Sequence, residues 1–119
     1  MYEITIISEF SSAHSLREYR GKCEELHGHN WKVELAVASG RLDKTGLVMD
    51  FKKLKQHLWT VLEKLDHRHL NELAFFKKVN PTSENIARYI YHSVKKKIPT
   101  VKSVTVWESE KASATYYEQ

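Results

Sequence analysis

The sequence predicts an α+β fold: an antiparallel sheet in the order β-β-α-α-β-β, with two helices on one of its faces. Three observations carry this. Two N-terminal runs place apolar residues at every second position. Two central runs place them at helical spacing. No strand-helix-strand alternation of the kind that builds a parallel sheet is present.

The elements follow in order. Across residues 2–10, Ile4, Ile6 and Phe10 share one face, with Glu3, Thr5 and Glu9 mostly on the other, so the segment reads as a strand. Residues 30–39 repeat the pattern with Trp31, Val33, Leu35 and Val37 against Lys32, Glu34 and Ala36. Residues 11–28 between them are polar and irregular, a loop long enough to be functional. Asp50 is a suitable N-cap for a helix running to about Leu65, with Leu54, Leu58, Val61, Leu62 and Leu65 on its buried stripe. A second helix starts in Asn80-Pro81-Thr82-Ser83-Glu84, where Thr82 can cap and Glu84 suits the positive end of the dipole. Its stripe is Ile86, Ile90 and Val94; Lys95, Lys96 and Lys97 fall at its C-terminal end and Pro99 stops it. Two more strands are expected near 101–108 and 112–118.

The chain has 119 residues, with neither a repeat nor a linker-like stretch, and reads as one domain over 1–119. One cysteine excludes an intramolecular disulfide framework. No apolar run nears the ~20 residues of a membrane helix, so a soluble cytoplasmic protein with no membrane contact is the expectation. The net charge of +4 invites an anionic partner. A nucleic-acid-binding module is the reading from another class. Lys52, Lys53 and Lys55, however, read as the solvated face of a helix, and no RNA-binding signature with interleaved aromatics is present, so no nucleic-acid partner is expected.

Seven histidines beside one cysteine direct attention to metal chemistry. His27-Gly28-His29 opens the second strand, and residues i and i+2 of a strand project from one face about 6.6 Å apart. Two imidazoles so placed can reach one ion, and His14, just past the first strand, is a reasonable third ligand. Three histidines would leave an open position on a tetrahedral zinc. Cys23 lies in a polar segment near them; it is a candidate base or nucleophile, or else a fourth ligand closing a structural site. Asp66 precedes His67 at a helix end, where an acid can orient an imidazole or simply make turn hydrogen bonds. Glu108 continues the register of Val104 and Val106, so it should face the core and need a partner, either a ligand's N–H donors or a neighbouring cation.

The run Cys23-Glu24-Glu25-Leu26-His27-Gly28-His29 resembles the signature of the 6-pyruvoyltetrahydropterin synthase and 6-carboxytetrahydropterin synthase family. The resemblance extends over nearly the whole chain through His14, Gly46-Leu47-Val48-Met49-Asp50-Phe51, Leu65-Asp66-His67 with Leu70-Asn71, Asn80-Pro81-Thr82-Ser83-Glu84-Asn85 and Trp107-Glu108-Ser109. It implies a tunnelling fold (T-fold) whose subunits associate into barrels, a homo-oligomer expected as a hexamer (dimer of trimers) with sites shared between neighbours. It implies that His14, His27 and His29 hold zinc, and that the substrate is 7,8-dihydroneopterin triphosphate. Cys23 would be the general base, Asp66 and His67 a proton relay, and Glu108 the anchor of the pterin's N–H edge, with Thr82 a further substrate-binding residue. No nicotinamide or flavin is implied.

The three-residue gap between Cys23 and His27 resembles the carboxy branch, which releases acetaldehyde and feeds queuosine synthesis. Glu24 also completes E-x-x-H-G-H, resembling a branch that uses a glutamate base to form 6-hydroxymethyl-dihydropterin, and the overlap resembles members proposed to do both. The pyruvoyl product is the remaining alternative. Arg17, Arg20, Lys22 and Arg68 are the triphosphate-binding candidates by proximity.

Overall fold

The long polar-rich first strand sets the architecture. In the computed structural model, which describes residues 1–21 and 24–119, β1 spans Tyr2–His14 and pairs antiparallel along its whole length with β2, His27–Ser39. β1 therefore runs four residues beyond the expected 2–10, and the connecting loop shrinks from 11–28 to 15–26. Ladder hydrogen bonds use backbone groups, so Ser11 and Ser12 extend the strand although they interrupt its apolar alternation.

Helix α1 covers Phe51–Leu62; the Asp50 carboxylate caps it by accepting from the Lys52 N–H at 2.8 Å. It ends before the expected Leu65, yet Leu65 stays fully buried beneath the turn that follows. A two-residue strand β3, Arg68–His69, and two short 3₁₀ turns at Leu70–Glu72 and Ala74–Lys77 lead to α2, Ser83–Lys95, capped by Thr82 as the sequence predicts. β4, Val101–Ser109, and β5, Ala112–Tyr117, complete the sheet in the order β3-β1-β2-β4-β5. The pairings are antiparallel except β3, which runs parallel to β1 and had no signature in the sequence.

The α+β expectation holds. α1 packs on β1 while α2 lies across β4 and β5. Side chains directly opposite one another in a ladder share a face. Ile4 faces Val37, Ile6 faces Leu35 and Phe10 faces Trp31, and these rows, with Val104 and Val106 of β4, form the buried sheet surface under Leu54, Leu58, Ile86 and Ile90. Among the described residues, no helix is long and apolar enough to cross a membrane.

Candidate active site

Two further steps along the same ladder turn the core into a site. After Phe10–Trp31 come Ser12–His29 and then His14–His27, so three imidazoles continue the apolar stripe on its own face. Glu108 arrives from β4 one alternation beyond Val106, as the register predicts. The ligand atoms of His14, His27, His29 and Glu108 all lie within 4.8 Å of one another.

The ring planes stand edge-on to each other, with centroids 4.6 Å apart for His14–His27, 5.1 Å for His14–His29 and 4.7 Å for His27–His29. His14 donates its Nδ1–H to the Pro81 carbonyl at 2.7 Å, and His27 donates its own to the Glu25 carbonyl at 2.9 Å. Both therefore carry their proton on Nδ1 and turn a bare Nε2 inward. Those two Nε2 atoms are 3.1 Å apart. Four tetrahedral ligands at zinc–nitrogen distances would stand ~3.3 Å apart, so the spacing suits a shared ion and not two facing lone pairs. The buried Nε2 of His29 has no hydrogen-bond partner among the described residues, and its nearest acid is Glu108 Oε1 at 3.5 Å. Burial holds the pKa of His14 below its ordinary value, and His27 and His29 push the same way against the Pro81 carbonyl and Glu108. A neutral, inward-facing imidazole is the metal-ligating form. The donor set fits a divalent ion.

Trp31 forms the floor. Fully buried, its ring lies 4.8 Å from that of His14 and 5.1 Å from that of His29, and its Nε1–H donates to the Ser12 carbonyl at 3.2 Å. The chain leaving β1 after His14 is held by amides distant in sequence. Asn71 accepts from the Ser15 N–H and donates to the Ser15 carbonyl, at 2.9 and 2.8 Å, in imitation of a strand partner. Asn80 does the same for Arg17 at 2.8 and 2.9 Å, and Asn85 donates to the Asn80 carbonyl. The Arg17 guanidinium donates to the carbonyls of Phe76, Asn71 and Val79.

Asp66 and His67 stand apart from this metal-capable group. Asp66 Oδ1 accepts the Ser11 N–H at 2.9 Å, and Oδ2 lies 2.9 Å from His67 Nδ1. The Ser11 N–H holds the carboxyl below its ordinary pKa, with His67 adding to the effect. His67 and the metal-side His29 line one open cleft of about 520 Å³, along with Gly28, Asn30, Arg68 and His69. A Cβ built on Gly28 would meet nothing within 4 Å, so the backbone there borders open space.

A sequence model described as 6-pyruvoyl tetrahydropterin synthase matches residues 3–119. The chain belongs to that family. It is 40% identical over 114 residues to the 6-carboxy-5,6,7,8-tetrahydropterin synthase of Synechocystis, an alignment covering 91% of this chain and 87% of the relative. It is 39% identical over 104 residues to the dihydroneopterin monophosphate aldolase of Pyrococcus furiosus, covering 85% and 84%. Among solved structures, the 6-pyruvoyl tetrahydropterin synthase of Caenorhabditis elegans superimposes with a TM-score of 0.86 at 29% identity, covering 99% and 96%.

The remaining expected residues of this synthase-family chain fall as follows. Thr82 accepts from the Asn85 N–H as the cap of α2, beside the Pro81 carbonyl that holds His14. Glu24 accepts from the Leu16 N–H at 3.3 Å and lies 3.8 Å from His27 Nδ1. Cys23 and Lys22 lie outside the described residues. Arg20 sits over the Tyr19 ring at 5.2 Å, Arg68 lines the cleft, and Arg17 is committed to the three carbonyls. The sequence reading missed Trp31 as a floor, Pro81 as the carbonyl behind His14, and Ser12. Trp31 carried one usable signal, being two residues past His29 and so on its face.

Proposed function

We propose that this chain is a 6-carboxy-5,6,7,8-tetrahydropterin synthase. It converts 7,8-dihydroneopterin triphosphate and water to 6-carboxytetrahydropterin, acetaldehyde and triphosphate, with zinc as its metal. The observation that carries the reading is the convergence of His14, His27, His29 and Glu108 at one end of the core. It occurs in a chain 40% identical to a protein of that name, with Cys23 separated from His27 by three residues. The setting would be queuosine biosynthesis in the cytoplasm, carried out by a hexamer in which neighbouring chains complete one another's sites.

His14, His27 and His29 would hold the ion through Nε2, and zinc so bound supplies a Lewis-acid charge that acidifies the substrate's side-chain hydroxyls. The rest falls to the chain. Cys23 takes a proton from the side-chain carbon. Asp66, kept ionised by the Ser11 N–H, holds the Nδ1–H of His67 and leaves the other ring nitrogen to receive and return protons. Glu108 accepts two N–H groups of the pterin edge in charge-assisted hydrogen bonds. The Thr82 hydroxyl accepts from Asn85 and keeps its own proton free to donate to substrate. Trp31 closes the underside of the imidazole cluster to water. Hydrogen moves from side chain to ring, so the ring is reduced without an external hydride.

A second reading, a hydroxymethyl-dihydropterin-forming enzyme with Glu24 as base, is favoured by the E-x-x-H-G-H run at residues 24–29 and by the name of the Pyrococcus relative. Product analysis by mass on zinc-loaded protein separates the two. 6-Carboxytetrahydropterin and acetaldehyde are expected, lost on chelation and restored by zinc, and Cys23→Ala is expected to keep stoichiometric metal while losing product. 6-Hydroxymethyl-dihydropterin as the sole pterin would overturn the carboxy reading. Loss of metal from Cys23→Ala would instead make the cysteine a ligand.

A further inference from the structure

The left-handed backbone of His67, with φ at +55°, is unfavourable for a residue with a side chain and persists only where its surroundings over-determine it. The surroundings here are two consecutive serines of β1. Toward this turn Ser11 uses only its backbone: its N–H donates to Asp66 Oδ1 at 2.9 Å, and its carbonyl accepts the His67 N–H at 2.6 Å. Ser12 uses its side chain. Its hydroxyl donates to the Leu65 carbonyl and accepts the Arg68 N–H at 3.2 Å, so one oxygen ties together both ends of the four-residue segment that carries Asp66 and His67. Ser12 is 7% exposed and, apart from the ligand His14, is the buried polar residue among those described. It pairs with His29 in the ladder, and its carbonyl receives the Trp31 indole N–H. A buried hydroxyl at an otherwise apolar sheet position costs free energy unless both its capacities are used, and both are used here on the same turn.

We propose that Ser12 is a positioning residue that acts through His67: its hydroxyl fixes the Leu65–Arg68 turn, and with it the direction of the His67 imidazole, relative to the strand that carries His14 and pairs with His29. The inference rests on the reading of Asp66 and His67 as the proton relay. The Ser11 contacts do not use the Ser12 side chain, since they run through backbone and the Asp66 carboxylate, so removing the hydroxyl loosens the turn without dismantling it.

The test uses zinc-loaded protein and 7,8-dihydroneopterin triphosphate. Ser12→Ala is expected to lower kcat about tenfold, the scale of losing one clamping hydroxyl, with KM and bound zinc unchanged. Ser12→Thr, which keeps the hydroxyl, is expected to recover most of the loss. Ser12→Ala added to His67→Gln is expected to cost nothing further, because the two changes act on one group. Full kcat in Ser12→Ala overturns the proposal, as does loss of zinc together with kcat, or a loss that multiplies in the double variant. Should Ser12→Ala be unstable, Ser12→Cys fills the same space with a feeble hydrogen-bonding group and is read in its place. A fully active His67→Gln removes the relay reading and Ser12 with it, whereas an impaired His67→Gln beside a fully active Ser12→Ala removes Ser12 alone.

Discussion

Arg17 separates two explanations of a cation close in sequence to the candidate site. By position in the sequence it is a candidate for the triphosphate; in the fold its guanidinium donates to the carbonyls of Phe76 at 2.5 Å, Asn71 at 3.2 Å and Val79 at 3.4 Å. These oxygens belong to the irregular stretch between β3 and α2, where few ladder bonds exist to satisfy them. Hydrogen bonds from a charged donor contribute about 1.5–3 kcal/mol each when well formed. With one bond long and all three only part-buried, about 1 kcal/mol each is the fair scale, so Arg17→Ala should cost about 3 kcal/mol. At ~4 °C per kcal/mol for a domain of this size, the melting temperature should fall by roughly 10 °C at fixed protein concentration. Arg17→Lys should fare little better, because an ammonium cannot span three carbonyls as a planar fork does. Thermal melts and the KM for 7,8-dihydroneopterin triphosphate, measured on all three proteins, decide it. An unchanged melting temperature with a raised KM, rescued by lysine, would refute the structural role and return Arg17 to the triphosphate.

Two further outcomes follow from the cluster. Glu108 Oε1 stands 3.5 Å from His29 Nε2, so it can serve the pterin or the metal; Glu108→Gln is expected to retain stoichiometric zinc while KM for the pterin rises on the order of 30-fold, the scale of a lost charge-assisted contact, and zinc loss would assign it as a ligand instead. The pKa of His14 is lowered from 6.5, so below that value the unfolded chain holds a proton that the folded chain refuses; the resulting stability of metal-free protein is present above 6.5 and lost as pH falls through the folded value, and a melting temperature that rose between pH ~7 and ~5 would contradict this sign.

What the sequence made legible were features whose cause is local. Asp50 and Thr82 cap helices through their own side chains, and the stripes Leu54–Leu58–Leu62 and Ile86–Ile90–Val94 are buried as their spacing requires. Glu108 was placed by register alone, two steps beyond Val106 on the same face. What stayed hidden has causes remote along the chain. β1 runs through to His14 because β2 offers it a ladder partner at every residue, not because Ser11-Ser12-Ala13 favours a strand. Asn71 and Asn80 mimic backbone partners for residues 56 and 63 positions away, and no short motif encodes that pairing. The carbonyl behind His14 belongs to Pro81, which the sequence marks only as a helix-start proline. Side-chain chemistry was readable; the backbone groups that finish it were not.

The same distinction bears on the two acidic-or-thiol bases that the motif offers. Nδ1 and Nε2 lie on opposite sides of an imidazole ring, and His27 turns Nε2 toward His14 at 3.1 Å. Glu24 approaches Nδ1, at 3.8 Å, which puts it behind the ring with respect to the converging ligands. Its backbone N–H donates to the Leu16 carbonyl at 2.9 Å while its carboxylate accepts the Leu16 N–H, so one residue closes the base of the β1–β2 loop twice over. A carboxylate in that place stabilises the loop, while the outer-shell hydrogen bond that orients His27 runs from its Nδ1–H to the neighbouring Glu25 carbonyl at 2.9 Å. To act as the base its carboxylate would have to leave the Leu16 N–H and pass the His27 ring. As placed, the Glu24 carboxylate closes the loop and does not face the converging ligand atoms.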